Sequence, residues 1–437
     1  MGNDARQAAL EALGRCRRDG AWSAQAMDAA IKKYELNRRD AALASRLTLG
    51  VLQNGVFLDY YIDLFCRKAP EKGLRDILRL GACQLLLTDR IPAHAAVGET
   101  VRLCRDNGFA RAAGLCNAVL RKLADARDSL PEIPGRGTAQ FLATRYSHPL
   151  WLVERILREH DYGFAEAFLA KNNEPAPLTI QVNTLKVSAE EYCRALDRAE
   201  ISYCAFPELP GCLELAGGSV TALPGFAEGL FYVQDRAART AVEIAAPEKG
   251  MRVLDACAAP GGKSFAAAIR MENTGSILSC DVQEKKLKRI FEGAARLGIG
   301  MIETRTMDGR VFDPALENVF DLVLCDAPCS GLGVIGKRPE IRNKTEAEVA
   351  NLPLIQAAIL DNVCRYVKPG GVLLYSTCTV LQAENEEQIR AFLSRHGDFS
   401  AEDFRLGKMK SSGGSYAFWP QLDGTDGFFI AKLRKIQ

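Results

Sequence analysis

The chain lacks most of what membrane, secreted and metal-binding proteins need. It contains no stretch of about 18 uncharged apolar residues, and residues 1–6 show no charged-then-apolar leader, so a cytoplasmic protein with no membrane role is expected. Only four histidines occur, His94, His148, His160 and His396, and they are dispersed. Cys325-x-x-x-Cys329 has no second ligand pair, so no metal is expected. The 14 cysteines form no short regular framework and read as reduced thiols. A Gly-x-Gly-x-x-Gly fingerprint is missing. A P-loop is missed narrowly: Gly262-Lys263-Ser264 fits, but Cys257 stands where the leading glycine belongs. Internal repeats and low-complexity tracts are absent as well.

What is present falls into three parts. Residues 1–130 carry an excess of roughly six positive charges, against roughly four negative over the rest, so a polyanionic partner meets this part first. Apolar residues recur there at helical spacing, from Leu49-Gly50-Val51-Leu52 through Leu64-Phe65 and again over 75–87 and 108–122, which predicts an all-α bundle over 1–130. Pro131, Pro134 and two glycines mark a linker over 128–137. A small α+β element over 145–240 follows, with strands predicted at 178–183, 201–205, 212–215 and 229–233. From 241 to 437 strands and helices alternate, which predicts a doubly wound, mostly parallel sheet.

Five strands are predicted in that last part, at 252–255, 276–281, 302–308, 321–326 and 371–376. Right-handed crossovers place their carboxyl ends on one rim. At or just past those ends stand Asp255, Asp281, Asp308, Asp326 and Cys378. A buried parallel strand needs only apolar residues, so four terminal acids exceed what packing requires, although each alone could be a helix N-cap. The first strand runs into the glycine loop Cys257-Ala258-Ala259-Pro260-Gly261-Gly262-Lys263. Asp281 follows Gly261 by 20 residues, the interval at which an acid can accept hydrogen bonds from ribose hydroxyls. Few of the loop amides are opened by glycine, so a nucleoside without phosphates, such as S-adenosylmethionine, suits it better than a pyrophosphate. Two cysteine runs, Asp326-Ala327-Pro328-Cys329-Ser330-Gly331 and Tyr375-Ser376-Thr377-Cys378-Thr379, end later strands and face the same crevice, which points to a thiol nucleophile beside a cofactor.

These motifs, with the tail Asp423-Gly424-Thr425-Asp426-Gly427-Phe428-Phe429, resemble those of the RNA (cytosine-5) methyltransferase family. Together with the helical part, which resembles the antitermination factor NusB around Ile91-Pro92-Ala93-His94-Ala95-Ala96-Val97, the pattern is similar to the Fmu/Sun branch of bacterial 16S ribosomal RNA methyltransferases. The resemblance covers nearly the whole chain. It implies a NusB-like RNA-binding bundle, a small domain like an RNA recognition motif, and a Rossmann-like class I methyltransferase core using S-adenosyl-L-methionine.

Carried over by residue, the resemblance assigns the cofactor to Cys257, Ala258, Ala259, Pro260, Gly261, Gly262, Lys263, Asp281, Asp308 and Asp326. Asp281 holds the ribose, Asp308 the adenine edge, and Asp326 lies near both methionine and target base. It implies Cys378 as the nucleophile and Cys329 as the residue that resolves the covalent adduct. The implied reaction is methylation at carbon 5 of a cytosine in small-subunit ribosomal RNA, taken as naked RNA or an early assembly particle, by a monomer. Transfer RNA is an alternative substrate, and a non-catalytic NusB-like RNA-binding factor is the alternative class. Lys337, Arg338, Arg342 and Lys344 follow the first motif as candidate phosphate ligands.

Overall fold

A computed structural model of the chain describes residues 3–216 and 218–436. They divide into two compact units, residues 1–174 with 335–346, and residues 175–334 with 347–437.

The first unit is helical throughout, with α1 (Asn3–Asp19), α2 (Ser23–Lys33), α3 (Arg38–Phe65), α4 (Lys72–Leu86), α5 (Ala93–Asp106) and α6 (Ala113–Asp125). Three shorter helices follow, α7 (Ala139–Arg145), α8 (Leu150–Glu159) and α9 (Tyr162–Lys171). Amphipathic spacing makes the bundle: Leu47, Val51, Leu58 and Ile62 of α3 are buried against Leu78 and Leu85 of α4. Asn37 caps α3 by accepting from the backbone N–H groups of Arg39 and Asp40. Among the described residues α3 is the one helix long and apolar enough to cross a membrane, by length and composition only. It bends at Asn54, and its Asp59 pairs with Arg75 and Arg79 of α4, as in a core helix of a bundle.

The second unit starts with β1 (Leu178–Val182), α10 (Ala189–Arg198), β2 (Tyr203–Ala205), β3 (Cys212–Leu215), β4 (Phe231–Val233) and α11 (Arg236–Ala245). Its four strands pair antiparallel in the order β2-β3-β1-β4. A capping box, Ser188 with Glu191, starts α10. Asn183 donates to the carbonyls of Gly229 and Leu297 at 2.9 and 2.8 Å, which ties this small sheet to the end of the helix Glu284–Leu297.

The larger sheet follows: β5 (Arg252–Asp255), α12 (Gly262–Arg270), β6 (Ser276–Asp281), α13 (Glu284–Leu297), β7 (Ile302–Thr306) and β8 (Phe320–Asp326). After α14 (Glu346–Val349) come α15 (Leu352–Val363), β9 (Val367–Thr377) and α16 (Glu386–Arg395). The short strands β10 (Phe399–Ala401), β11 (Arg405–Leu406), β12 (Met409–Lys410) and β13 (Ser415–Phe418) precede α17 (Pro420–Asp423) and β14 (Phe428–Lys435). The sheet order is β10-β14-β9-β8-β5-β6-β7, with β5 to β9 mutually parallel and β14 antiparallel to β9. The continuous apolar runs Leu322–Cys325 and Leu373–Tyr375 are buried, as strands covered on both faces require. The fold is thus the expected one: a helical N-terminal region, a small α+β domain and a Rossmann-like, mostly parallel sheet. Strand three ends at Thr306, two residues before Asp308, because Asp308 accepts from the backbone N–H of Arg310 in a turn.

Candidate active site

Strand order places the sequence-predicted residues along one edge. Reading across it, Cys378 follows β9, Cys329 follows the end of β8, the glycine loop follows β5, Asp281 ends β6 and Asp308 lies past β7. Strand order reverses between β5 and β8, and a doubly wound sheet opens its ligand crevice at that point. A direct contact closes this junction: Lys263 Nζ, from the β5 loop, lies 2.6 Å from Asp326 Oδ2 at the end of β8.

The glycine loop is built by backbone bonds that extend the strands. Ala256 N–H donates to Leu324 O and Ala258 N–H to Cys280 O, and the loop then turns through a cis Ala259–Pro260 bond. Gly261 has φ of +109°, and a Cβ there would meet the Phe265 ring at 2.6 Å, so only glycine starts α12 in this way. Ser264 on the first turn donates to Asp255 Oδ2 at 2.7 Å and contacts Ser279 Oγ at 2.8 Å. Asp255 Oδ1 is buried with no hydrogen-bond partner among the described residues, an acceptor that the N–H donors of a bound group can satisfy. Asp281 is buried, and its Oδ1 accepts from Gln283 N–H at 2.8 Å. Burial pushes the Cys257 thiol well up, so it is a neutral wall of the loop and not a nucleophile. The loop, the orphaned acceptor and the acid on β6 fit a nucleoside cofactor.

Asp308 differs from the other acids. Arg310 grips it with three contacts of 2.7 to 3.2 Å, and this side chain together with the Arg310 N–H holds its carboxyl below the usual range. A ligand reaching Asp308 must share it with Arg310.

Burial raises Asp255 from an ordinary 3.8 to about 6, against the opposing hydrogen bond from Ser264. A carboxyl raised on folding stabilises the protein below its unfolded pKa and loses that contribution as pH rises through the folded one. Wild type is therefore expected to lose stability between about pH 4 and 6 relative to Asp255→Asn, the gap reaching about 2–3 kcal/mol above pH 7 in urea unfolding. A gap that does not change with pH would contradict this.

The two thiols meet. Cys329 Sγ and Cys378 Sγ are 3.3 Å apart and both are half-buried. Contact with Cys378 and then burial push Cys329 well above the usual thiol value, so Cys329 is protonated at neutral pH. Beside them, Asp326 Oδ1 accepts from Ser376 Oγ at 2.9 Å while its Oδ2 takes the Lys263 ammonium, itself buried and 5.0 Å from the centre of the Phe428 ring. This carboxylate is held by two donors and remains about a third exposed, as a group that must reach a ligand requires.

Backbone contacts lock the two loops. Gly333 N–H donates to Cys378 O at 3.0 Å and Gly427 N–H donates to Gly333 O at 2.9 Å. A Cβ on Gly333 would lie 1.8 Å from Gly427 O and 2.9 Å from Cys378 O. Backbone cannot swing aside as a side chain can, so Gly333→Ala is expected to lower stability by at least about 3 kcal/mol, measured by thermal or urea unfolding. A loss under about 1 kcal/mol would show that the loops part readily.

Sequence reasoning missed the residues behind the thiols. Glu384, Gln356, Asn385 and Ser376 sit in or beside the two cysteine loops and are buried. The basic run after Cys329 needs a correction. Arg342 is buried in the helical unit, where Nη1 donates to the carbonyls of Gln53, Tyr146 and Ser147 at 2.7 to 3.0 Å. Its Nη2 donates to Asn172 O and Asn173 Oδ1, so no donor pair is left for a phosphate. Arg338 stacks 4.5 Å from the centre of the Trp22 ring.

Comparison with known proteins agrees with this arrangement over nearly the whole chain. Residues 242–434 match the family model for 16S rRNA methyltransferase RsmB/F, residues 3–125 that of the NusB family, and residues 148–221 the ferredoxin-like domain of RsmF/B-like methyltransferases. The chain is 35% identical to a probable ribosomal RNA small subunit methyltransferase B of Bacillus subtilis, covering 98% of each. It is also 35% identical to a ribosomal RNA small subunit methyltransferase B of Klebsiella pneumoniae, covering 92% of each. Among solved structures, PH0851 is similar with a TM-score of 0.84 and 28% identity, covering 100% of this chain and 99% of that one.

Proposed function

Because the chain belongs to the family of 16S rRNA methyltransferases RsmB/F, we propose that it methylates carbon 5 of a specific cytosine in small-subunit ribosomal RNA through a covalent bond between Cys378 and the base. The observation that carries this reading is the 3.3 Å thiol pair at the sheet edge, one strand from the Lys263–Asp326 contact. A methyltransferase acting on a nitrogen or a ribose hydroxyl needs no thiol, because those atoms are nucleophiles already. Carbon 5 of cytosine is not, and a thiol must first add at carbon 6.

When bound, S-adenosyl-L-methionine supplies an electrophilic methyl group; the loop from Cys257 to Lys263, with Asp281, Asp308 and Asp326, holds it. Cys378, as thiolate, forms the sulfur–carbon 6 bond and pushes electrons toward carbon 5 and ring nitrogen 3. Asp326, steadied by Ser376, relays a proton from the Lys263 ammonium to nitrogen 3 as charge develops there, and the proton returns to Lys263 when the ring is restored. Once carbon 5 carries the methyl group, its proton passes to a solvent water, the C–H electron pair re-forms the ring double bond, and the carbon–sulfur bond breaks, releasing the Cys378 thiolate. Cys329 is one sulfur contact from that bond, the place required of a group that promotes the elimination.

The base must be unstacked to reach the crevice, which favours a loop or a flipped nucleotide. Residues 1–130, with their positive excess, are the proposed RNA-binding part, 145–240 the linking domain and 241–437 the catalytic domain, acting as a cytoplasmic monomer without metal. Incubation with labelled S-adenosyl-L-methionine and unmodified small-subunit RNA, followed by nucleotide mapping, is expected to give 5-methylcytosine at one position. Label on a nitrogen or a ribose would contradict the proposal, and preferential labelling of transfer RNA would reassign the substrate.

A further inference from the structure

Both cysteine loops converge on one carboxylate. Glu384 lies in a short turn before α16, is 1% exposed, and receives donors from four sides. Its Oε1 takes Ser330 Oγ at 2.5 Å and Thr379 Oγ1 at 3.1 Å; its Oε2 takes Ser330 N–H at 2.9 Å and Gln356 Nε2 at 2.8 Å. Ser330 and Thr379 are the residues directly after Cys329 and Cys378, and their hydroxyls are 2.6 Å apart.

The opposite flanks are held from the same direction. Gln356 Nε2 also donates to Pro328 O at 3.0 Å, just before Cys329. Asn385, next to Glu384, accepts from Thr377 Oγ1 at 2.5 Å and donates to Thr379 O at 3.1 Å, on both sides of Cys378. Tyr375 OH donates to the Glu384 carbonyl at 2.7 Å, which fixes the turn itself.

We propose that Glu384 is the positioning residue of the thiol pair, a single buried carboxylate that holds the Cys329 and Cys378 loops in one register and keeps the two sulfurs chemically distinct. The inference rests on the thiol mechanism proposed above. A buried carboxylate with this many partners is costly to displace, so the loops cannot shift independently. Its charge also acts on Cys329. Cys329 faces Cys378, Glu384, Asp326 and Tyr375, and Glu384 is among the groups that disfavour a thiolate there. Lys263 offsets Asp326, which it contacts directly, but has no such contact with Glu384. Two neighbouring thiols would otherwise compete as nucleophiles; a fixed negative charge behind one of them separates their roles.

The test uses Glu384→Gln in the full chain. Without RNA, alkylation of each cysteine by iodoacetamide is followed by peptide mass spectrometry across pH. In wild type, Cys378 is labelled in preference to Cys329; in the variant that preference is expected to fall about tenfold near neutral pH. With RNA, kcat is expected to fall about tenfold to a hundredfold while KM for RNA stays within about twofold, because Glu384 is buried away from any ligand. A labelling preference and kcat both within about twofold of wild type would overturn the inference. If the variant does not fold, Ser330→Ala and Thr379→Val carry the test. Each removes one donor and leaves the charge, so each is expected to lower kcat about tenfold with unchanged labelling preference, and kcat within about twofold would overturn the inference. Alkylation is read without RNA, so failure of the wild type to make 5-methylcytosine would sink the mechanism while the labelling still judges Glu384.

Discussion

Cys378→Ala is expected to leave methyl transfer at background, a loss of at least about 10⁴-fold in kcat, with cofactor binding and folding retained. The size follows from the chemistry. Without a sulfur at carbon 6 the pyrimidine stays aromatic and carbon 5 stays too poor in electrons to react, so no other group in the site takes over part of the work. Cys329 cannot substitute, because burial still raises its thiol once the Cys378 contact is gone and its loop is tied through Ser330 and Pro328. Stability is expected to change by less than about 1 kcal/mol, since the Cys378 side chain is only half-buried. Cofactor titration calorimetry and a melting curve separate a chemical loss from a structural one. Activity within about tenfold of wild type in a folded variant would remove Cys378 as nucleophile.

Cys329→Ala is expected to act in the opposite way, allowing the adduct to form and preventing its release. Protein linked to RNA should accumulate as a band that survives denaturing electrophoresis, reaching a large fraction of the enzyme, while wild type shows little. The expectation depends on the 3.3 Å contact between the sulfurs, which places Cys329 beside the bond that must break. Multiple turnover should fall by at least about 10²-fold, in the range of a lost general acid–base group. The double change Cys329→Ala with Cys378→Ala should give no band at all. If the single variant turns over normally and traps nothing, Cys329 is a packing residue.

Much of the site was legible in the sequence because strand ends are local features. An apolar run followed by Asp or by Pro-Cys or Thr-Cys marks the carboxyl end of a buried strand, and right-handed crossovers then bring those ends to one rim. Asp255, Asp281, Asp326, Cys329 and Cys378 were found in this way. Lys263 was visible as part of the glycine loop, but its contact with Asp326 depends on β5 and β8 being neighbours, which follows from strand order and not from spacing.

Glu384 was invisible for a different reason. It stands in an ordinary polar stretch, Ala383-Glu384-Asn385-Glu386, where a charged residue reads as surface, and its partner Ser330 is 54 positions away. The nearest signal was Asn385 and Glu384 following Cys378 closely, which periodicity does not separate from a helix start. Arg342 misled in the same way. A basic residue among Lys337, Arg338 and Lys344 reads as a phosphate ligand, yet its guanidinium is spent on five carbonyl-type acceptors inside the helical unit. Burial of a charged side chain depends on partners remote in sequence, and composition carries no trace of them.

The bond itself can be observed. Adduct formed by the Cys329→Ala enzyme on unmodified small-subunit RNA, digested with protease and nuclease and sequenced by mass spectrometry, should carry a methylated cytidine nucleotide on the peptide containing Cys378. A nucleotide found on another residue, or a site-specific 5-methylcytosine product made with no peptide-linked nucleotide at any time point, would contradict the covalent mechanism.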